Sequence, residues 1–164
     1  MNNAEFDQYV DSRLPKYHIE HEDLFNELCD KTSQKSTSKR FGPFYQLYIY
    51  AFFIGYYSNS RVSLPDREKM RKFLDFGSWR NNNSEVTSLM LMILINENIS
   101  DLNEFENSND EEIKAQINEI FVAMDEYVHG GLNYIKSCIN EGRSQLDDEY
   151  KFYKILFNVA KLKS

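Results

Sequence analysis

Residues 41–57, FGPFYQLYIYAFFIGYY, are apolar around almost the whole circumference of a helix. Phe41, Phe44, Tyr45, Tyr48, Phe52 and Tyr56 recur at steps of three and four, the spacing of one helical stripe. Ile49, Phe53, Ile54 and Tyr57 fill most of the remaining surface. A helix apolar on nearly all sides is covered by neighbours on several of them. The run is shorter than the roughly 20 apolar residues that cross a bilayer. Its tyrosines bring hydroxyls that need partners when buried. Pro43 suits the first helical turn. The run therefore predicts a central aromatic helix, residues 43–57, in an all-α, compact bundle of about six or seven helices.

The segments on either side supply the rest of the bundle. Residues 4–14 place Phe6, Tyr9, Val10 and Leu14 on one face, stopped by Pro15; residues 21–31 do the same with Leu24, Phe25, Leu28 and Cys29. Residues 32–40, TSQKSTSKR, are polar and basic, and read as a loop. After the central helix, Ser63 and Pro65 open a predicted helix that buries Met70, Phe73, Leu74 and Phe76 and ends at Gly77, leaving Trp79 in the following loop. Val86, Leu89, Met90, Met92, Ile93, Leu94 and Ile95 predict a strongly buried helix. Residues 99–107 read as a short turn or helix. A helix starting at Ser108–Glu112 carries Ile113, Ile117, Ile120, Phe121, Met124, Tyr127 and Val128 to Gly130-Gly131, read as its C-terminal cap. Two more helices follow, one with Leu132, Ile135 and Ile139, and one from Ser144 burying Leu146, Tyr150, Tyr153, Ile155, Leu156, Phe157, Val159 and Leu162.

The length of 164 residues predicts a single helical domain, 1–164, with enough chain for a real core. Aromatic residues make up 15%, so the core or an interface is ring-rich. No apolar run follows Met1, which predicts neither a leader nor a membrane segment and hence a cytoplasmic protein. Cys29 and Cys138 lack CxxC spacing and read as reduced thiols. The net charge of −7 is unevenly spread. Residues 1–30 are net −6, residues 31–80 net +7, residues 81–150 net −12 and the tail from Lys151 net +4. Either basic and acidic elements face each other within the fold, or a basic surface awaits nucleic acid or an acidic partner; the first weighs slightly more.

No phosphate loop, nucleotide fingerprint, nucleophile elbow or zinc signature is present, so the expectation is no enzyme, no cofactor, no metal and no catalytic residue. His18 and His21, with Glu20, Glu22 and Asp23 around them, have the residue types of a metal site. They lie at a loop-to-helix boundary in a polar stretch and read as exposed side chains. The carboxylates of 97–112 read as a solvated helix cap and face. His129, beside Glu126 and Tyr127, has the chemistry of a general base, but no nucleophile accompanies it and it reads as a histidine at a helix C-terminus. The best binding candidates are basic: Lys39 and Arg40 before the central helix, then Arg61, Arg67, Lys69, Arg71, Lys72 and Arg80. On one face they would grip phosphates or an acidic partner. Asp66, Glu68 and Asp75 among them, and the acidic balance of the chain, count against nucleic acid.

Two segments carry a resemblance. Phe44-x3-Tyr48-x2-Ala51-x2-Ile54-Gly55-Tyr56, followed by Arg61 and Pro65, is similar to a phenylalanine-rich helix ending in ALGY and then a basic stretch. Glu126-Tyr127-x2-Gly130-Gly131-Leu132-x2-Ile135 is similar to an EYANGGL segment. Both resemble the small helical accessory proteins associated with bacterial DNA phosphorothioation (Dnd) systems and related phage-defence systems. The resemblance implies an intracellular accessory subunit of an antiviral system; with the missing catalytic constellation, the aromatic surplus and the charge blocks, the leading expectation is a non-catalytic subunit that docks on larger ATPase or nuclease partners. Alternatives are a DNA-contacting module using residues 61–80, and an enzyme of unrecognised type using His129 and Glu126. Protein partners, DNA and further copies of the chain all remain open as ligands; a membrane does not.

Overall fold

A computed structural model of the chain describes residues 1–30, 40–64, 67–72, 74–99, 105, 107–141 and 151–161. The elements are α1 (Asn3–Asp11), β1 (Lys16–His18), a 3-10 turn (Ile19–His21), α2 (Glu22–Leu28), α3 (Phe44–Tyr57), a second 3-10 turn (Arg67–Lys69), β2 (Met70–Lys72), α4 (Phe76–Arg80), α5 (Ser84–Asn98), α6 (Asp110–Glu141) and α7 (Lys151–Lys161). The fold is all-α apart from the two-stranded β1–β2 ribbon, as the periodicity predicts. No helix among the described residues is long and apolar enough to cross a membrane. The chain divides into two compact units, Met1–Lys16 with Lys72–Met124, and Tyr17–Arg71 with Asp125–Ser164.

In the first unit, α1 is fixed at its start by a capping box. Asn2 Oδ1 accepts from the Glu5 backbone N–H at 3.0 Å, and Glu5 Oε2 accepts from the Asn2 backbone N–H at 2.9 Å. Asp75 caps α4 with its side chain, accepting from the Ser78 N–H at 2.8 Å; its hydrogen bonds from Ser78 hold its carboxyl below the usual range. The core rings are Phe76, Trp79 and Phe121, with Phe76 edge-on to Phe121 at 5.2 Å. Met90, Leu94, Ile117, Ile120 and Met124 fill around them.

In the second unit, α3 is the centre, as the aromatic run predicts. Leu47, Tyr48, Ala51, Phe52 and Ile54 have no exposed surface. Phe25 stacks between Tyr17 and Phe44, and Phe41, Tyr50 and Phe152 form a second ring cluster where α7 packs on α3. The buried Tyr48 and the half-buried Tyr50 find the partners they need: Tyr48 Oη donates to Asp125 at 2.5 Å and Tyr50 Oη to the Phe152 carbonyl at 2.6 Å.

Several expectations fail. Gly130-Gly131 does not cap a helix: α6 runs unbroken for 32 residues. The glycines serve contact instead. A Cβ on Gly131 would come within 2.7 Å of the Ala51 carbonyl carbon, one on Gly55 within 2.8 Å of the Tyr127 carbonyl carbon, and one on Gly130 within 2.8 Å of the Ser60 carbonyl carbon. Close backbone contact compensates for the roughly 1 kcal/mol each that glycine costs in a helix. The predicted helix from Ser63 is a 3-10 turn and β2, because Met70–Lys72 pair with β1, and tertiary pairing overrides propensity. Leu74 is accordingly exposed, and Trp79 is a fully buried residue of α4 rather than a loop plug. In α5 only Thr87, Met90 and Leu94 are buried, so Val86, Leu89 and Met92 are left outside; Phe157 of α7 is likewise exposed. His18 and His21 are buried, not exposed. The predicted loop 32–39, most of 99–107 and residues 142–150 lie outside the described residues.

Candidate functional site

Three histidines and a glutamate converge in the second unit. Two short elements set three of them. His18 ends β1, and its Nδ1 takes the capping role for the 3-10 turn, accepting from the Glu20 backbone N–H at 3.4 Å. That turn places Glu20 and His21 together just before α2. The fourth residue, His129, stands on α6 among Tyr127, Val128, Gly130 and Gly131, all buried. The glycines beside it allow α6 to approach α3 and Ser60 at that level.

The geometry centres on one oxygen. Glu20 Oε1 lies 3.3 Å from His18 Nδ1, 3.5 Å from His21 Nε2 and 3.6 Å from His129 Nε2. His21 Nε2 and His129 Nδ1 share a hydrogen bond at 3.0 Å. The three rings are buried, whereas the Glu20 side chain is 43% exposed, so the cluster is closed behind and open at the carboxylate. His21 Nδ1 and His18 Nε2 are buried with no hydrogen-bond partner among the described residues. Burial, reinforced by the nearby His129, pushes the His21 pKa down to about 4; burial also lowers that of His129 against the opposing pull of Glu20. Both rings are therefore neutral near pH 7, each keeping one nitrogen lone pair.

A consistent proton arrangement follows. His21 Nε2–H donates to His129 Nδ1, and His129 Nε2–H points to Glu20. This leaves the lone pair of His21 Nδ1 without a partner. Chemically, two neutral imidazoles and a carboxylate form a donor set for a borderline transition cation: one ligand atom each from Glu20, His21 and His129 lies within 4.8 Å of the others.

The sequence reading places His18 and His21 in one motif and His129 in another, and calls none of them a site. Sequence spacing gives no hint that residues 108 positions apart meet. No local signal singles out His21 in particular, whose neighbours within two positions are Ile19, Glu20, Glu22 and Asp23.

The described basic candidates belong to both units. Lys39 and the side chain of Arg67 lie outside the described residues. Arg61 Nε pairs with Glu126 at 2.7 Å, in the second unit. Arg80 pairs with Asp11 at 2.9 Å and reaches Asp7 at 3.6 Å, in the first. Arg40, Lys69, Arg71 and Lys72 are exposed, the last two on β2. The chain matches, over residues 14–157, the model of the family described as DNA sulphur modification system-associated protein 4. It belongs to that family. No curated protein and no solved structure gives a significant match. Membership of the family bears out the resemblance carried by the aromatic helix and the double-glycine segment, and gives the chain an accessory place in a DNA sulphur modification system.

Proposed function

We propose that this chain is a non-catalytic, cytoplasmic accessory subunit of its DNA sulphur modification system that docks on a larger ATPase or nuclease protein of the same system. One observation carries the docking part: the outer face of α5. Leu89 is 48% exposed and Met92 66%, with Val86 flanking them at 39%. On a helical projection Leu89 and Met92 lie opposite Thr87, Met90 and Leu94, the residues that α5 buries. The helix is thus apolar on both faces while only one is covered. Adjacent exposed aliphatic side chains on one helix face mark interaction surfaces in soluble proteins. Helix-in-groove docking reads anchors at this i, i+3 spacing.

The experiment is co-expression of the tagged chain with each ATPase and nuclease protein encoded by the system, followed by purification. A stable complex is expected, and Leu89→Asp with Met92→Asp should release the partner while the unfolding midpoint stays near that of the parent. Failure of every such protein to bind, or binding indifferent to those two changes, refutes the docking surface. The DNA-contacting alternative receives less support, because Arg61 and Arg80 are engaged with carboxylates of their own units. A salt-sensitive gel shift abolished by Arg71→Glu with Lys72→Glu would favour it instead.

A further inference from the structure

We infer that Glu20, His21 and His129 bind one divalent transition cation of the zinc class. The carboxylate oxygen is the starting point. Three ring nitrogens stand 3.3–3.6 Å from Glu20 Oε1. That is longer than the roughly 2.7–3.2 Å of an N–H···O hydrogen bond, so none of the three satisfies the oxygen well. It is close to the spacing between neighbouring ligands of a tetrahedral ion, about 3.3–3.5 Å for bonds of about 2.0–2.1 Å. Glu20 Oε1 therefore stands from His21 Nε2 and His129 Nε2 at about the separations of a ligand shell, while the two rings hold each other by a hydrogen bond. Loading requires only that His21 Nε2 and His129 Nε2 present lone pairs and that the 3.0 Å contact between the rings gives way.

Imidazole chemistry favours this, since one nitrogen of each ring can face the ion while the other keeps the proton. The orphaned His21 Nδ1 would carry the proton that leaves its Nε2, and His129 Nδ1 the proton that leaves its own Nε2, while the lone pair of His18 Nδ1 is taken by the Glu20 backbone N–H. Nitrogen donors outnumber oxygen two to one, which excludes calcium and magnesium, cations that take about six or more oxygen ligands. The exposed side of Glu20 leaves the fourth position to solvent. The bound ion would join the turn Ile19–His21 to α6 at His129, residues 108 positions apart in sequence and both in the second unit.

The test uses the full chain, stripped with a chelator and dialysed. Zn2+ is titrated in competition with a chromophoric chelator, and Co2+ is added in parallel to report coordination through its visible d–d bands. About one equivalent of Zn2+ per chain is expected, with a Co2+ spectrum of four-coordinate intensity and a rise in unfolding midpoint on loading. Glu20→Gln keeps the shape of an accessible side chain and should fold as the parent does. It should weaken Zn2+ by more than the roughly 10–100-fold typical of residues that only support a ligand. His129→Gln should do the same, its fold checked by circular dichroism. The inference is overturned if the parent takes up no Zn2+, or if Glu20→Gln and His129→Gln bind it as tightly as the parent.

Discussion

Replacing Gly131 by alanine sets two opposed effects of known size against each other. In an isolated helix the change stabilises by about 1 kcal/mol, because alanine loses less backbone freedom. In this protein the new Cβ would come within 2.7 Å of the Ala51 carbonyl carbon, closer still to its oxygen, and within 2.9 Å of the Gly55 nitrogen. Ordinary contact begins at 3.4 Å, so α3 and α6 must part by at least about 0.7 Å. Every obstructing atom is backbone, so no rotamer change relieves the clash. Parting the helices loosens the packing of Leu47, Tyr48, Ala51 and Ile54, which have no exposed surface. Overpacking costs about 1–3 kcal/mol even where side chains can yield, and the upper end applies here. The net loss is then about 2 kcal/mol or more, out of the roughly 5–15 kcal/mol typical of a folded domain. Urea unfolding followed by circular dichroism measures it. Gly42→Ala is the control: its Cβ meets only the flexible end of Gln46, at 3.0 Å, and the cost should stay below about 1 kcal/mol. A Gly131→Ala protein as stable as the parent, or more so, would refute the close-packing account of the double glycine.

Three further outcomes follow. Because the folded-state pKa values of His21 and His129 lie below the ordinary imidazole value, the unfolded chain binds more protons in the window from about pH 6.5 down to about 4, and stability should fall with pH across it. A urea midpoint unchanged between about pH 7 and 5.5, above the range where ordinary carboxylates titrate, would contradict this. Tyr48→Phe removes the donor at 2.5 Å from the buried Asp125 and should cost about 1.5–3 kcal/mol in the same assay; a neutral result would mean that this hydrogen bond contributes nothing. Arg80→Ala breaks pairs with Asp7 and Asp11 that remain partly in solvent, so it should cost no more than about 1 kcal/mol and less at high salt; a larger, salt-independent loss would show that the arginine stem, not its charge, is what counts.

What could be read from the sequence was what a single element decides. The ring-laden helix declares itself because burial on all sides needs apolar residues on all sides, and α3 shows that pattern from Phe44 to Tyr57. The errors arise where a residue's role depends on a distant segment. Gly130 and Gly131 carry the same local signal whether they end a helix or admit a second backbone, and only Ala51 and Ser60, some 70–80 positions upstream, decide between the two. Met70–Lys72 became a strand because β1 was there to pair with. The histidine cluster is the extreme case. In sequence, His18 and His21 sit among acids and read as solvated, while His129 reads as a helix-end histidine. Burial of all three depends on contact between the Ile19–His21 turn and α6, which no periodicity encodes. The double glycine brings α6 against α3 and Ser60 one and two residues after His129, so a variant that forces the helices apart at Gly131 should shift the His129 ring and loosen the His21–His129 contact as well. Zn2+ affinity measured on Gly131→Ala would reveal that coupling, and an affinity equal to the parent's would separate the two features.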